Sequence, residues 1–273
     1  MSYIVTKMKN SSDQEREAQL KRLALGTATV IGVAYTNGKG MDETLGGTMR
    51  QKHWLGKAIG DVTYPHRVQF PQANFQLTHN EVTTSLDYNS NTPVTLTDGD
   101  FAITATNIPT GTNDLTLQIG AWSVADDEEI NALHAFAMEL PIYETNALSN
   151  GMYNKLFTYL DNKEFYSKFY YRDFVGDELQ VDFSLEEPEA IKLKRVTLWQ
   201  GPLTMAREYE HGVVLINPSH SPQMFDLANM YLGQSFEYLD GEFDTTIHTG
   251  LPAGTQVVVP ELDAIFLHKV SPN

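Results

Sequence analysis

The sequence predicts a mostly β protein that contains two antiparallel β-sandwich regions, a few helices and no complete barrel. In two parts of the chain, 64–124 and 195–270, short stretches of alternating apolar and polar residues follow one another, with turn-forming residues between them. Elsewhere apolar residues recur at helical spacing. These changes of period divide the chain into an N-terminal helix with a glycine-rich link (1–63), a first sandwich (64–124), a helical, aromatic-rich region (125–194) and a second sandwich (195–273).

The composition is typical of a folded acidic protein. The chain has 273 residues, of which 41% are hydrophobic, and 35 acidic against 19 basic residues give a formal net charge of −16. This apolar content is too high for a disordered acidic chain. The negative charge disfavours nucleic acid and anionic membranes as partners, because both require a positive surface. Since there is no cysteine, we expect no disulfide, no thiolate nucleophile and no cysteine-based metal site.

The sequence contains no recognisable targeting or membrane segment. No apolar run reaches the ~20 residues that a membrane-spanning helix requires. At the N-terminus the apolar run is too short for a signal peptide, and acidic residues follow it directly. We therefore expect a soluble chain without an export signal of its own, and the compartment stays open.

An N-terminal helix is predicted over Ser12–Tyr35. Ser12 and Glu15 have the spacing of a capping box, in which two side chains satisfy the first free backbone N–H groups. Apolar and small residues then recur on one helical face. The run Thr27–Val33 is rich in β-branched residues and also fits a buried strand. The continuous length of the pattern favours the helix.

The first sandwich region is predicted from four alternating runs separated by turn residues. These runs are Phe75–Leu77, Val94–Leu96, Phe101–Ile103 and Leu115–Ile119. In the region that follows, a helix is predicted over Asp126–Leu140, because four acidic residues occupy its first turn and an apolar stripe follows. The aromatic-rich stretch 153–174 is predicted to contain one or two short helices.

The second sandwich region begins near Arg195. Its predicted strands are Val213–Ile216, Val257–Val259 and Ala264–Leu267, and the stretch Phe236–Phe243 has a turn at Asp240-Gly241.

The segment Trp199–Leu227 contains an arginine, an acidic residue, an aromatic residue and, after two further positions, a glycine that leads into an apolar strand ending in Asn-Pro. The positions are Arg207, Glu208, Tyr209, Gly212, Val213–Ile216, Asn217 and Pro218. The pattern resembles a stretch of glycoside hydrolases that combine a (β/α)₈ barrel with a C-terminal β-sandwich. The tail 251–267 looks like the last two strands of that sandwich, and 22–61 looks like the final barrel helix with its link.

This resemblance implies the C-terminal part of such an enzyme. A chain of 273 residues cannot hold a barrel of ~250 residues as well as a sandwich. The catalytic acids of the family lie in the barrel, so none is carried over to this sequence. Residues 64–196 look like an insertion. The resemblance therefore implies a carbohydrate-active protein related to glycoside hydrolases.

Two glutamates in this motif are candidates for hydrolysis of a glycosidic bond. Such hydrolysis uses two carboxyl groups, which lie ~6.5–9.5 Å apart in inverting enzymes. If Arg207–Glu210 is a strand, Glu208 and Glu210 share one face with Cα atoms ~7 Å apart. The commoner arrangement is a solvated strand face on which the glutamates pair with Arg207.

Aromatic residues supply candidates for sugar binding, because the C–H faces of sugar rings stack on aromatic rings. Trp199 lies beside the Arg207 motif, and both residues are candidates for sugar contact. Tyr170 and Tyr171 fit a stacking platform and a position in the core equally well. For the phenylalanines around them the core is the better interpretation.

One acidic set has the residue types of a calcium site. Asp240, Glu242 and Asp244 alternate around a glycine turn, and calcium takes 6–8 oxygen ligands. Asp98 and Asp100 offer a second set. Neither matches an EF-hand loop, and calcium in a sandwich is more often structural than catalytic. No other cofactor is expected.

Two classes of function follow. The first is a carbohydrate-active protein that hydrolyses glycosidic bonds through the carboxylate pair Glu208 and Glu210. The alternative is a non-catalytic β-sandwich module that binds glycans or serves as a structural accessory. The expected partner is a carbohydrate, with no nucleic acid and no membrane.

A homodimer is predicted from the N-terminal helix. Its C-terminal half is apolar or small and uncharged, a surface that monomers rarely expose. Either this helix folds back onto a sandwich or it packs against its copy in a second chain through a two-fold interface.

Overall fold

The computed structural model describes residues 13–31, 55–87, 92–97, 100–111, 114–124, 131–137, 155–160, 162–185, 190–240, 247 and 249–270. For 13–15, 17, 131–137 and 155–159 it describes the backbone alone. In chain order the elements are α1 (Asp13–Ile31), β1 (Ala58–Thr63), β2 (Val68–Gln69), β3 (Asn74–His79), β4 (Val82–Leu86), β5 (Val94–Leu96), β6 (Phe101–Thr106), β7 (Leu115–Ser123), β8 (Asn131–Ala137), β9 (Lys155–Leu160), β10 (Phe165–Tyr171), β11 (Glu178–Leu185), β12 (Ile191–Gln200), β13 (Met205–Tyr209), β14 (Gly212–Asn217), β15 (Gln223–Asp226), α2 (Leu227–Met230), β16 (Phe236–Tyr238), β17 (Gln256–Val259) and β18 (Asp263–Lys269).

The chain forms two compact units. Unit 1 combines the chain up to His66 with the chain from Pro202 onward, and unit 2 consists of Arg67–Gly201. The predicted fold class, mostly β with antiparallel sheets in sandwich-like regions, is confirmed, and the sheets of the described residues do not close into a barrel. The division into four regions at 64, 125 and 195 stays a prediction.

Unit 1 is built on one sheet that is covered on both faces. Its strand order is β1-β13-β14-β18-β16, with antiparallel pairing throughout. All six residues of β14 are buried, which explains why its sequence is a continuous apolar run rather than an alternating one. Helix α1 packs on one face of this sheet, and the β15–β17 pair belongs to the layer on the other.

The predicted N-terminal helix is confirmed over Asp13–Ile31, while 32–35 lie outside the described residues. Of the two expected arrangements, folding back within the chain and packing against a second chain, the helix adopts the first, because it packs on the sheet of its own unit. Leu23, Leu25 and Val30 are buried there, whereas Ile31 is 51% exposed. Within the described residues, the apolar face that suggested a dimer is therefore covered by the sheet except at Ile31. A homodimer stays a prediction.

Gly26 lies where α1 comes very close to β18. A Cβ atom at this position would stand 2.6 Å from Cβ of Ala264 and 3.4 Å from Cγ1 of Ile216. Glycine within a helix ordinarily costs about 1 kcal/mol relative to alanine. Here that cost is offset by the close packing that glycine permits.

We expect Gly26→Ala to lower the free energy of unfolding by about 1 kcal/mol or more, because overpacking outweighs the gain in helix propensity. Denaturant unfolding followed by circular dichroism measures the change. The double variant Gly26→Ala/Ala264→Gly restores the space and should recover part of the loss. An increase in stability in the single variant would contradict this account of the helix–sheet contact.

Unit 2 is a sandwich of two sheets. The first has the order β10-β7-β12-β2, with β5 also pairing with β12, and the second has the order β4-β3-β6-β11-β8-β9. The predicted strands at 75–77, 94–96, 101–103 and 115–119 are confirmed within β3, β5, β6 and β7. Their inward residues, with those of β10, β11 and β12, form one buried cluster between the sheets, which includes Phe169 and Phe183.

The helix predicted over Asp126–Leu140 is wrong. Residues Asn131–Ala137 form strand β8, which pairs with β11 and β9, and the remainder of the predicted span lies outside the described residues. Leu133 and Ala137 belong to a helical stripe and equally to a period-2 pattern through Ala135. A run this short fits helical and strand periodicity equally well, and its pairing with β9 and β11 determines that it forms a strand.

The short helices predicted within 153–174 are also wrong, since this stretch contains strands β9 and β10. Aromatic residues favour strands, because their side chains pack well on a pleated surface. In β10 the buried residues Ser167, Phe169 and Tyr171 alternate with the outward residues Lys168 and Tyr170. The aromatic density here results from a strand that presents rings on both of its faces.

The strands predicted at 213–216, 257–259 and 264–267 are confirmed within β14, β17 and β18. Phe236 begins β16, while most of the predicted turn region after Asp240 lies outside the described residues.

Candidate functional site

Arg207 and Tyr209, in the motif that carried the resemblance, hold the C-terminal end of α1. They lie two residues apart on β13 and therefore share one face. The Arg207 Nη1 group donates a hydrogen bond to the carbonyl oxygen of Val30 at 2.7 Å, and the Tyr209 hydroxyl donates to that of Thr29 at 2.7 Å. The last four carbonyls of a helix have no partner within the helix, and these two side chains supply donors to two of them.

Asn217, at the end of the same motif, joins the turn that follows β14 to the end of β17. Its side-chain nitrogen donates to the carbonyl oxygens of Ser221 at 2.8 Å, Val259 at 3.1 Å and Pro260 at 2.8 Å. Its side-chain oxygen accepts from the backbone nitrogen of Ser219 at 3.0 Å and from the Ser219 hydroxyl at 2.6 Å. The side chain is completely buried. The Asn-Pro ending of β14 therefore has a structural role in this chain.

The two candidate glutamates make separate sets of contacts. Oε1 of Glu208 lies 2.8 Å from Nζ of Lys269 and accepts a hydrogen bond from Gln234 at 2.8 Å. Glu210 follows β13 in the turn toward β14, and its Oε2 accepts from the backbone nitrogen of Lys57 at 2.9 Å. Burial raises the pKa of Glu208, but the hydrogen bonds from Lys269 and Gln234 outweigh it and hold that pKa below its ordinary value. Such a carboxyl stays ionised at neutral pH, where a general acid has to be protonated.

The aromatic candidates Tyr170 and Trp199 lie on a different surface, the outward side of the β10-β7-β12 sheet in unit 2. Side chains alternate along each strand, and the inward ones belong to the core of the sandwich. We call the outward set the β7 face. It consists of Tyr166, Lys168 and Tyr170 on β10, Thr116, Gln118, Gly120 and Trp122 on β7, and Lys192, Arg195, Thr197 and Trp199 on β12.

The register of the three strands places these side chains in rows. Tyr170 and Trp199 both pair with Thr116, so the two aromatic candidates flank one small residue. Tyr166 and Arg195 flank Gly120 in the same way. A Cβ atom on Gly120 would lie 3.0 Å from Cε1 of Tyr166, so the ring rests against the glycine. Thr116 and Gly120 are both buried, so the larger side chains of the neighbouring strands cover these small residues of β7.

Three polar atoms on this face have no hydrogen-bond partner among the residues that the structure describes. They are Oγ1 of Thr116, Oγ1 of Thr197 and Nε1 of Trp199, and all three are shielded from solvent. Thr116 and Trp199 lie in the same row, and Thr197 lies in the next one. Buried polar groups are nearly always satisfied, so a cluster of unsatisfied ones on one face calls for an explanation.

Basic side chains lie over the aromatic rings of the β7 face. The Arg67 guanidinium carbon is 4.1 Å from the centre of the Trp199 ring, and that of Arg172 is 5.2 Å from the Tyr170 ring. The Tyr170 hydroxyl donates a hydrogen bond to the carboxylate of Asp114, which also accepts from the backbone nitrogen of Asp173 at 3.0 Å. These contacts fix the orientation of Tyr170.

The other predicted site residues lie elsewhere. Tyr171 belongs to the core of the sandwich and is 4% exposed, and burial raises the pKa of its hydroxyl. Asp240 is exposed at the end of the strand region after β16, while Glu242 and Asp244 lie outside the described residues. In the part of the chain that is described, no three acidic or histidine side chains are grouped to hold a metal ion. Calcium binding stays a prediction.

The sequence did not single out Thr116 and Gly120, and although Trp122 and Tyr166 were aromatic candidates, it did not place them on one face with Tyr170 and Trp199. The alternation Leu115, Leu117, Ile119 already implied that the residues between them point outward. Which residues of β10 and β12 lie beside them depends on strand register.

The helices of the described residues are too short or too polar to cross a membrane.

Comparisons with known proteins give a distant likeness. No family model and no curated protein matches the chain. Among solved structures, the xylan-binding module CBM15 is 13% identical over 50% of this chain and 95% of that one, with a TM-score of 0.30. The CBM22-1 xylan-binding domain of Paenibacillus barcinonensis Xyn10C is 9% identical over 51% of this chain and 88% of that one, with a TM-score of 0.26.

A family two carbohydrate esterase from Cellvibrio japonicus is 11% identical, with a TM-score of 0.26. The match covers 50% of this chain and 33% of the esterase. Scores this low carry no functional argument, and the residues of the chain itself have to supply one.

Proposed function

We propose that this protein is a non-catalytic carbohydrate-binding protein and that the glycan lies along the β7 face of unit 2. The observation that carries the proposal is that four aromatic side chains lie on one face of one sheet, namely Trp122, Tyr166, Tyr170 and Trp199. Sugar rings have apolar C–H faces that stack on aromatic rings and hydroxyl groups that need hydrogen-bond partners.

The polar atoms of the face support the same proposal. Thr116, Thr197 and Trp199 hold two hydroxyl groups and one indole N–H that lack partners among the described residues and are shielded from solvent, so a glycan reaches them when the side chains above them move aside. Threonine hydroxyls both donate and accept, and the indole N–H donates, which suits the mixed hydrogen bonding of sugar hydroxyls. Gln118 lies beside Thr197 at the middle of the face and adds a further polar group.

Kinship with the C-terminal part of a glycoside hydrolase stays a proposal that rests on the sequence resemblance. Hydrolysis through Glu208 and Glu210 likewise stays a prediction, in which the lowered pKa of Glu208 suits the ionised member of the pair and not the general acid. Sugar contact by Arg207 also stays a prediction, although its guanidinium donates to backbone carbonyls of Val30 and, at 3.4 Å, Gly60.

We expect Trp199→Ala to weaken glycan binding about tenfold or more, because a stacking platform and an indole N–H donor are lost together. Affinity gel electrophoresis against a panel of soluble neutral and acidic polysaccharides measures the change. Phe165→Ala is the matched control, since Phe165 lies on β10, is 54% exposed and has the opposite orientation to Tyr166.

Unchanged melting temperatures would show that both variants stay folded. Equal retention of Trp199→Ala and the native protein, or the lack of any retention of the native protein across the panel, would overturn the proposal.

A further inference from the structure

The ring of Trp199, the candidate stacking platform on β12, is covered on one side by Arg67. The guanidinium carbon of Arg67 lies 4.1 Å from the centre of the indole ring, which is a stacking contact. A sugar ring that stacks on an aromatic ring comes equally close to it, so a guanidinium group and a sugar ring exclude each other from the same side of the indole. The contact that orders Trp199 therefore also competes with a ligand for its ring.

Three polar atoms near this stack are shielded from solvent. Nε1 of Trp199 and the hydroxyl groups of Thr116 and Thr197 have no hydrogen-bond partner among the described residues, although all three side chains belong to the outward side of the sheet. Each such atom raises the free energy of the covered arrangement, because burial removes it from water without a replacement. Uncovering these atoms gives them hydrogen bonds to water or to sugar hydroxyls, which offsets part of the free energy of breaking the stack.

Arg67 lies at a position where its side chain can move without a change in the sheet. It immediately precedes β2, an edge strand of only two residues, both of which are exposed. A long side chain changes its rotamer much faster than strands rearrange. Arg67 has interactions besides the stack, and these add to the free energy that is needed to move it.

Tyr170, on the other side of Thr116, is held in a different way. The guanidinium carbon of Arg172 lies 5.2 Å from the centre of the Tyr170 ring, farther than that of Arg67 lies from the indole. The orientation of Tyr170 is fixed through its hydroxyl, which donates a hydrogen bond to Asp114. The close guanidinium stack is thus a feature of the tryptophan and not of the tyrosine.

We propose that Arg67 is a lid on the glycan site of the β7 face, a proposal that rests on glycan binding by this face. In the closed arrangement its guanidinium group covers the Trp199 ring. When a glycan binds, this group moves off the indole and a sugar ring takes its place, with sugar hydroxyls bonded to the atoms that were shielded. The measured affinity is then the intrinsic affinity reduced by the fraction of open molecules, so a weaker lid gives tighter binding.

Two variants weaken the lid in different ways. Arg67→Ala removes the group that covers the indole, and Arg67→Lys keeps the positive charge but loses the planar guanidinium group. Arg16→Ala is the matched control, because Arg16 is an exposed arginine of unit 1 and its loss changes the net charge equally. Affinity is measured for the full chain with the polysaccharide that the native protein binds most tightly. Melting temperatures show whether the variants are folded.

A second measurement follows the lid without any ligand. Acrylamide quenches the fluorescence of tryptophan rings that it reaches, so removing Arg67 should increase the quenching of Trp199. The chain has three tryptophans. The same comparison in a Trp199→Phe background therefore isolates the contribution of Trp199.

We expect Arg67→Ala to bind the polysaccharide about three- to tenfold more tightly than the native protein, because a cation–π contact no longer opposes binding. Arg67→Lys should lie between the two, and Arg16→Ala should bind like the native protein. Acrylamide quenching should rise in Arg67→Ala, and the rise should disappear in the Trp199→Phe background.

Equal or weaker binding by Arg67→Ala, with binding by the native protein, would overturn the lid and leave glycan binding by the face intact. Unchanged quenching in the folded variant would overturn it as well, since Arg67 would not then cover the indole. If Arg67→Ala does not fold, the same outcomes apply to Arg67→Lys. Failure of the native protein and of the variants to bind any polysaccharide would overturn the proposed function and the lid with it.

Discussion

Replacing Arg22 by methionine is expected to lower the free energy of unfolding by about 3–5 kcal/mol, because it leaves the charge of Asp263 buried without its partner. Arg22 belongs to α1 and Asp263 begins β18, so their contact joins the helix to the sheet of unit 1. Nε of Arg22 lies 2.8 Å from Oδ1 of Asp263, and Nη2 lies 2.7 Å from Oδ2. The side chains are 3% and 1% exposed, so water does not replace the lost partner.

The double variant Arg22→Met/Asp263→Asn tests the cause of this loss. The amide of asparagine keeps an acceptor for the backbone nitrogen of Ala264, which donates to Oδ1 of Asp263 at 2.7 Å. It removes the isolated charge, so the double variant should be less destabilised than the sum of the two single variants. Urea unfolding followed by far-UV circular dichroism measures all three. A loss below about 1 kcal/mol in Arg22→Met would contradict a buried ion pair at this position.

Asn217→Ala is the second change with a large expected effect, a loss of about 3 kcal/mol or more in the free energy of unfolding. The variant removes the partner of the buried Val259 carbonyl, of the half-buried carbonyl bonds to Ser221 and Pro260, and of the buried Ser219 N–H group, and a buried group left unsatisfied costs about 1–3 kcal/mol. The carbonyls belong to Ser221, Val259 and Pro260, so the end of β17 should loosen from the end of β14.

Asn74→Ala is the control for this prediction, because Asn74 is an exposed asparagine in β3 of unit 2. Its replacement should change the stability by less than about 0.5 kcal/mol. Similar stabilities of the Asn217 and Asn74 variants would refute the structural role of the Asn-Pro ending. Hydrogen exchange at Val257 and Val259 localises the effect to β17.

The sequence predicted the strands whose alternation is unambiguous and failed where short apolar runs fit two periods. Strand β7 was found because Leu115, Leu117 and Ile119 alternate with polar residues. Strand β8 was predicted as helix, because Leu133 and Ala137 fit both a helical stripe and a strand. Its pairing with β11, some fifty residues later, selects the strand, and local pattern does not contain that information.

The candidate site was found only in part for a related reason. Trp199 and Tyr170 were predicted as sugar contacts, and register brings both beside Thr116. Tyr171 fitted a sugar-stacking position and the core equally well from sequence, and in the structure the alternation of side chains along β10 places it in the core. An irregularity in β12 between Leu193 and Arg195 shifts the register, so the neighbours of Gly120 could not be derived by counting.

The Arg207 motif presents a different difficulty, because its residue types serve equally in ligand binding and in structural contacts. Its residue types suggested chemistry, whereas the contacts of Arg207 and Tyr209 are with carbonyls of α1, 177 and 180 positions away in sequence. Arginine and tyrosine hold a helix end as readily as they bind a ligand. Whether Arg207 and Tyr209 face a ligand or a helix end depends on which element packs against β13 in the folded chain.

A crystal structure of the full chain with an oligosaccharide, prepared from the polysaccharide that binds most tightly, tests the central claim most directly. The account predicts sugar rings along β7, with one ring against Trp199 or Tyr170 and hydroxyl groups within hydrogen-bond distance of Thr116, Thr197 or Nε1 of Trp199. An oligosaccharide bound to unit 1, or to the loops of unit 2 with the β7 face unoccupied, would contradict it.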